Sequence, residues 1–118
     1  MQYLIMALET QEAFDSRDDP ERAGEYWASW SGYIDALRAA GVMEAAGGLL
    51  PPATSTTVRL REGQRLVQDG PYADTKEQLG GYFVIEVPDL DVALQWAVRC
   101  PSAAYASVEV RPLMPARR

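Results

Sequence analysis

Apolar residues run unbroken from Tyr3 to Leu8, the pattern of a strand covered on both faces. Glu9 to Asp18 is polar, acidic and unpatterned, which predicts a loop. Asp19-Pro20-Glu21 then carries a helix-start signature: a capping Asp, Pro at the first helical position, and acid in the first turn. Tyr26, Trp27, Trp30, Tyr33, Ile34 and Leu37 recur at intervals of three and four, one broad helical face. Gly41 ends this helix, with Arg38 in its last turn. Val42 to Ala46 predicts a short strand that stops at Gly47-Gly48 and the Pro51-Pro52 break.

Ser55 to Arg61 alternates, with Val58 and Leu60 on one face and Arg59 and Arg61 on the other. Glu62-Gly63 is a turn signal and Arg65 to Gln68 returns, which predicts a β-hairpin. A loop follows, with one helical turn over Thr75 to Gln78. Gly81 to Val87 reads as a strand. Pro88-Asp89 opens a second helix, Leu90 to Arg99, which Pro101 ends. Ala106 to Pro112 alternates as a final strand.

The order is β-α-β, an inserted hairpin and loop, then β-α-β, so the expected class is α+β: a ferredoxin-like βαββαβ fold with an inserted β-hairpin. Such a fold lays both helices on one sheet face. The strands at Tyr3 to Leu8 and Tyr82 to Val87 are nevertheless apolar at both parities, so something must cover the other face. A second copy of the sheet is the simplest cover, which predicts a homodimeric α+β barrel. The alternative is that the hairpin folds over that face within one chain.

With 118 residues, the chain suits one domain spanning 1–118. A net charge of −6 argues against nucleic acid or an anionic membrane as the partner. No apolar run is long enough to span a bilayer, and Met1 to Met6 reads as a strand rather than a signal peptide. The single cysteine, Cys100, fits a reducing cytoplasm, and its place at a helix C-terminus disfavours a nucleophilic thiolate. Histidine is absent. Ser-His-Asp and Cys-His machinery and His-based zinc sites are thereby excluded. No phosphate-loop pattern supports a nucleotide, and the expectation is no cofactor and no metal.

Asp69-Gly70-Pro71-Tyr72-Ala73-Asp74-Thr75-Lys76-Glu77, continuing through Gln78-Leu79-Gly80-Gly81-Tyr82-Phe83, resembles the signature of the DGPF branch of the YCII-related family. Leu37 to Val42, Pro51 to Thr54, Pro88 to Asp91 and Ser107 to Pro112 extend the resemblance along nearly the whole chain. It implies a dimeric ferredoxin-like barrel and a link to extracytoplasmic-function sigma factors. Members of the wider family carry a His on the first helix near an Asp, resembling an acid–base dyad. That position is Trp30 here, and a second His before the last strand is replaced by Tyr105. The signature Asp69 remains.

Asp69-Gly70-Pro71 has an ordinary turn reading. Its functional reading places Asp69 in a pocket walled by Tyr72, where burial would raise its pKa and make it a base. Lys76 is a candidate anion-binding group at a helix start that Asp74 caps. Gly80-Gly81 predicts a bulge. Trp30, Tyr72 and Tyr82 suit the walls of a pocket for a planar apolar ligand, with Tyr105 as a hydrogen-bonding group. The expected function is binding of a small molecule or regulatory partner. The alternatives are a cofactor-free lyase or isomerase with Asp69 as base, and a structural interaction module.

Overall fold

The long apolar strand needs no polar alternation because both its edges are paired and one face is packed. A computed structural model of the chain describes residues 1–71 and 75–116. Strand β1 (Gln2–Thr10) pairs antiparallel with β5 (Glu77–Glu86) on one side and β6 (Ser107–Pro112) on the other. Strand β2 (Met43–Gly48) completes the sheet beyond β5, in the order β2-β5-β1-β6. This is the ferredoxin-like order expected from the sequence, with the hairpin β3 (Thr56–Arg61) and β4 (Gln64–Asp69) as a separate two-stranded unit.

One sheet face carries both long helices. Tyr3, Ile5, Ala7, Phe83 and Ile85 point into it and are buried with Trp30, Tyr33 and Leu37 of α2 (Ala23–Ala39). Ala93 of α3 (Leu90–Arg99) joins the same core. Asp89 caps α3 by accepting from the Val92 N–H at 3.0 Å, as its sequence predicts. Phe83 receives the edge of Tyr33 at 5.2 Å and the face of Trp30 at 6.3 Å, pinning α2 over β5. The opposite face bears the half-buried Leu4, Met6, Leu8, Tyr82 and Val84, with none of the described helices against it.

Three local expectations are corrected. The loop expected over Glu9 to Asp18 contains a short helix, α1 (Gln11–Ser16), whose start Thr10 caps through Ala13 N. The long helix begins at Ala23 rather than at Pro20. Asp19 instead organises a turn, accepting from Glu21 N at 2.8 Å while its carbonyl takes Ala23 N. No helical turn forms over Thr75 to Gln78, because Glu77 and Gln78 already belong to β5 and the Thr75 hydroxyl donates to Glu77 O. The Asp74 cap lies outside the described residues.

The hairpin follows its sequence closely. Glu62 and Gly63 both have positive φ, at 52° and 75°, the geometry that matches a two-residue turn to strand twist. Val58, Leu60, Leu66 and Val67 all stay about half to two-thirds exposed, so the hairpin does not cover the open face within one chain. None of the described helices is long and apolar enough to cross a membrane.

Candidate functional site

Alternation along β1 sends every second side chain toward the helices, and the last on that parity is Glu9. It is 1% exposed, after the apolar Tyr3, Ile5 and Ala7 on the same parity. Such a carboxylate persists only if its lone pairs are filled, and three groups fill them. Arg17, just past α1, donates Nη2 to Oε2 at 2.9 Å. Tyr26 on α2 donates its hydroxyl to Oε1 at 2.7 Å, and Tyr105 donates to the same oxygen at 2.5 Å. Arg17 Nε donates in turn to the Tyr26 oxygen at 3.0 Å.

The backbone completes this cluster. The register of β1 against β5 slips at Gly80, leaving it as a bulge, as the Gly80-Gly81 pair predicts. The Gly80 carbonyl accepts from Arg17 Nη2 and from Leu49 N, while Arg17 Nη1 donates to Leu49 O. A Cβ at Gly80 would run into the Glu9 carboxylate, so only glycine lets the strand pass so close. The guanidinium also lies 4.8 Å from the Phe14 ring centre and 5.6 Å from that of Trp27, which favours the cation.

A cleft of about 470 Å³ opens beside the cluster, between α2 and the β2–β5 side of the sheet. Trp27, Trp30, Ile34 and Phe83 form its apolar wall, and Leu49 and Leu50 its lip. Gly47, Gly48 and the buried Gly80 and Gly81 line its floor, while Glu9, Arg17 and Tyr26 mark one end. Arg38 also lines it. The Trp30 indole N–H is buried and has no acceptor among the described residues.

The residues singled out by sequence divide sharply. Trp30 lines the cleft, and Tyr105 bonds Glu9 at its polar end. Asp69 ends β4 exposed, on a turn in which Gly70 has a φ of 96° and donates to Ser55 O. The burial that would make Asp69 a base is absent there. Lys76 is exposed in a bend. Tyr82 lies on the other sheet face from Phe83, with its ring over Gly47, and Tyr72 lies outside the described residues. A second cleft of about 430 Å³ at the hairpin root takes in Pro71 of the signature. Glu9, Arg17 and Tyr26 had one legible signal: an acid on the buried parity of an apolar strand must have donors nearby. Cys100 is buried, and burial pushes its thiol pKa up, against a nucleophilic role.

Burial, and then the hydrogen bond to Glu9, push the Tyr26 pKa up to about 12 and raise that of Tyr105 as well. Folded, both hydroxyls hold their protons more tightly than in the unfolded chain, where tyrosine titrates near 10. The unfolded state therefore loses protons first as pH rises. The stability these groups contribute is complete below about pH 10 and is lost as pH passes through the folded value. Urea midpoints should fall above pH 10, and the double variant Tyr26→Phe/Tyr105→Phe should flatten that fall. An equal slope in the variant would assign the loss to other groups.

The family model of the YCII-related domain matches residues 1–117. An uncharacterized protein of Rhizobium meliloti is 41% identical over 76 residues, which are 63% of this chain and 61% of that protein. The match thus spans under two thirds of that relative's length. Among solved structures, the 5-chloro-2-hydroxyhydroquinone dehydrochlorinase of Burkholderia phenoliruptrix, in complex with 2,5-dihydroxybenzoquinone, superposes with a TM-score of 0.57. The superposition covers 98% of this chain and 96% of that one at 16% identity, a likeness of fold.

Proposed function

This chain belongs to the YCII-related domain family, and from that premise we propose that it binds a small planar organic molecule in the cleft between α2 and the β2–β5 side of the sheet. The observation that carries the reading is the aromatic wall set against a floor lined by Gly47, Gly48, Gly80 and Gly81. A flat ring fits between such surfaces, gaining stacking on one side and close backbone approach on the other. The dihydroxybenzoquinone named with the Burkholderia enzyme is a flat ring of this kind, which agrees with the proposal. A concave cleft suits a small molecule better than a protein partner.

A second reading, a cofactor-free lyase or isomerase, is favoured by one observation: two tyrosine hydroxyls donate to one carboxylate oxygen at the cleft's polar end. Glu9 rather than Asp69 would then be the base. It ranks second because both Glu9 oxygens already accept hydrogen bonds within the fold, which leaves no carboxylate oxygen open to a substrate.

Binding is tested by tryptophan fluorescence and thermal shift against a panel of aromatic compounds. Hits should quench Trp27 and Trp30 and raise Tm with ligand concentration, and Trp30→Ala should abolish both responses. Hits that bind Trp30→Ala with unchanged affinity would place the ligand elsewhere. Turnover of a hit that disappears in Glu9→Gln while binding persists would promote the enzymatic reading.

We further propose that the protein is a homodimer joined through the open sheet face, with the hairpin of each copy laid on its partner. The radius of gyration, 16.2 Å, exceeds the value of about 13.5 Å for a compact chain of this length. A two-stranded hairpin is marginal alone in water, which supports a partner for it. Arg59, Arg61 and Arg65 against Glu62 and Asp69 give the hairpin a net charge of +1 in a chain of −6, so it is attracted to the acidic body of a second copy.

A further inference from the structure

The apolar cleft wall ends on a cation with no partner among the described residues. Trp27, Trp30, Ile34 and Arg38 follow one another along α2 at intervals of three and four, so their side chains stack on one helix face. Arg38 sits in the last turn and is exposed. It makes no hydrogen bond, ion pair or ring contact with any described residue. Asp35, one turn earlier, is spaced for an i,i+3 pair, yet none forms. The chain has 17 acidic residues to 11 basic ones, so acids to pair with Arg38 are in excess.

The other charges on the cleft cancel. Glu9 and Arg17 form a closed pair at 2.9 Å. Arg17 spends Nε on Tyr26, Nη1 on Leu49 O, and Nη2 on Glu9 and Gly80 O, so four of its five donors are taken. One uncompensated positive charge therefore remains on the lining, at Arg38, in a molecule whose net charge is −6.

We infer that the ligand of this cleft is a planar aromatic acid, with its ring against Trp30 and Ile34 and its carboxylate on the Arg38 guanidinium. The inference rests on the cleft being a ligand site. Guanidinium is the side chain best matched to a carboxylate, through two parallel N–H bonds. The apolar wall beside it excludes water from one flank of the ion pair, so the pair is worth more than a free surface contact. The spacing agrees: Ile34 and Arg38 are four residues, about 6 Å, apart along α2. A ring on Ile34 thus carries its acid group to the arginine.

Calorimetric titration with naphthoate and its neutral analogue naphthamide separates this inference from the underlying one. Wild-type protein should bind naphthoate about five- to tenfold more tightly. Arg38→Gln, at an exposed position, should remove the preference, with affinity for naphthoate falling several-fold more than affinity for naphthamide. Equal affinities in the wild type, or a preference that survives Arg38→Gln, would overturn the assignment to Arg38 while leaving the cleft a ligand site. Binding of neither compound would overturn both.

Discussion

Glu9→Ala should lower the free energy of unfolding by about 3–5 kcal/mol, the cost of breaking a buried ion pair from one side. Glu9 and Arg17 side chains are 1% and 10% exposed, so water does not replace the lost carboxylate. Arg17 Nη2 and the hydroxyls of Tyr26 and Tyr105 lose their shared acceptor together. Glu9→Gln should cost less, because its amide oxygen still accepts from the tyrosines while its NH₂ meets the guanidinium. The double variant Glu9→Met/Arg17→Met should be less damaging than the two single losses added together, since it leaves no charge unpaired. Urea unfolding reads all three as shifts in midpoint at constant slope. A loss below about 1 kcal/mol in Glu9→Ala would mean that water or rearranged neighbours satisfy Arg17.

The second large effect concerns assembly. Val58→Glu/Leu60→Glu should convert the proposed dimer to monomer at micromolar concentration, seen by sedimentation or light scattering. Both side chains are 60% or more exposed within one chain, so the monomer itself loses little. The ladder is not opposed at Leu60, which faces Arg65, and the introduced carboxylate there gains a favourable cross-strand pair. A drop in association without loss of fold therefore reports on contacts between copies. A wild-type protein that sediments at the mass of one chain would overturn the dimer. A variant that dimerises as well as wild type would move the interface away from the hairpin.

The fold was legible where the local signals agreed with the global pattern. The hairpin register follows from Glu62-Gly63 and from alternation, α3 from its Asp89 cap, and β1 from an apolar run with nothing polar inside it. Helix α1 was hidden because six residues are too few for a periodic face, and Thr10 marks its start without an acid three residues later. Asp19 misled as a helix cap because its side chain holds the turn before the helix. The site was less legible than the fold. Trp30 and Tyr105 emerged from resemblance, and Trp30 also from its apolar spacing. Glu9 was absorbed into a polar stretch, although strand parity places it with Tyr3, Ile5 and Ala7. Asp69 stood out by its motif, yet its turn chemistry alone accounts for the residues around it. The donors that meet Glu9 come from α2, from the end of α1 and from just before β6. Only tertiary structure brings them together.

The Glu9–Tyr105 bond joins residues 96 positions apart, and that separation has a consequence for synthesis on the ribosome. Strand β1 is made well before its neighbours β5 and β6. During elongation, Leu4, Met6 and Leu8 have no sheet to join, and Glu9 lacks one of its three donors until Tyr105 emerges. Pairings this distant form slowly and leave apolar strand exposed meanwhile. A nascent chain halted before residue 105 should therefore be recognised by chaperones and be sensitive to protease along β1, whereas release of the full chain should close the cluster and protect it.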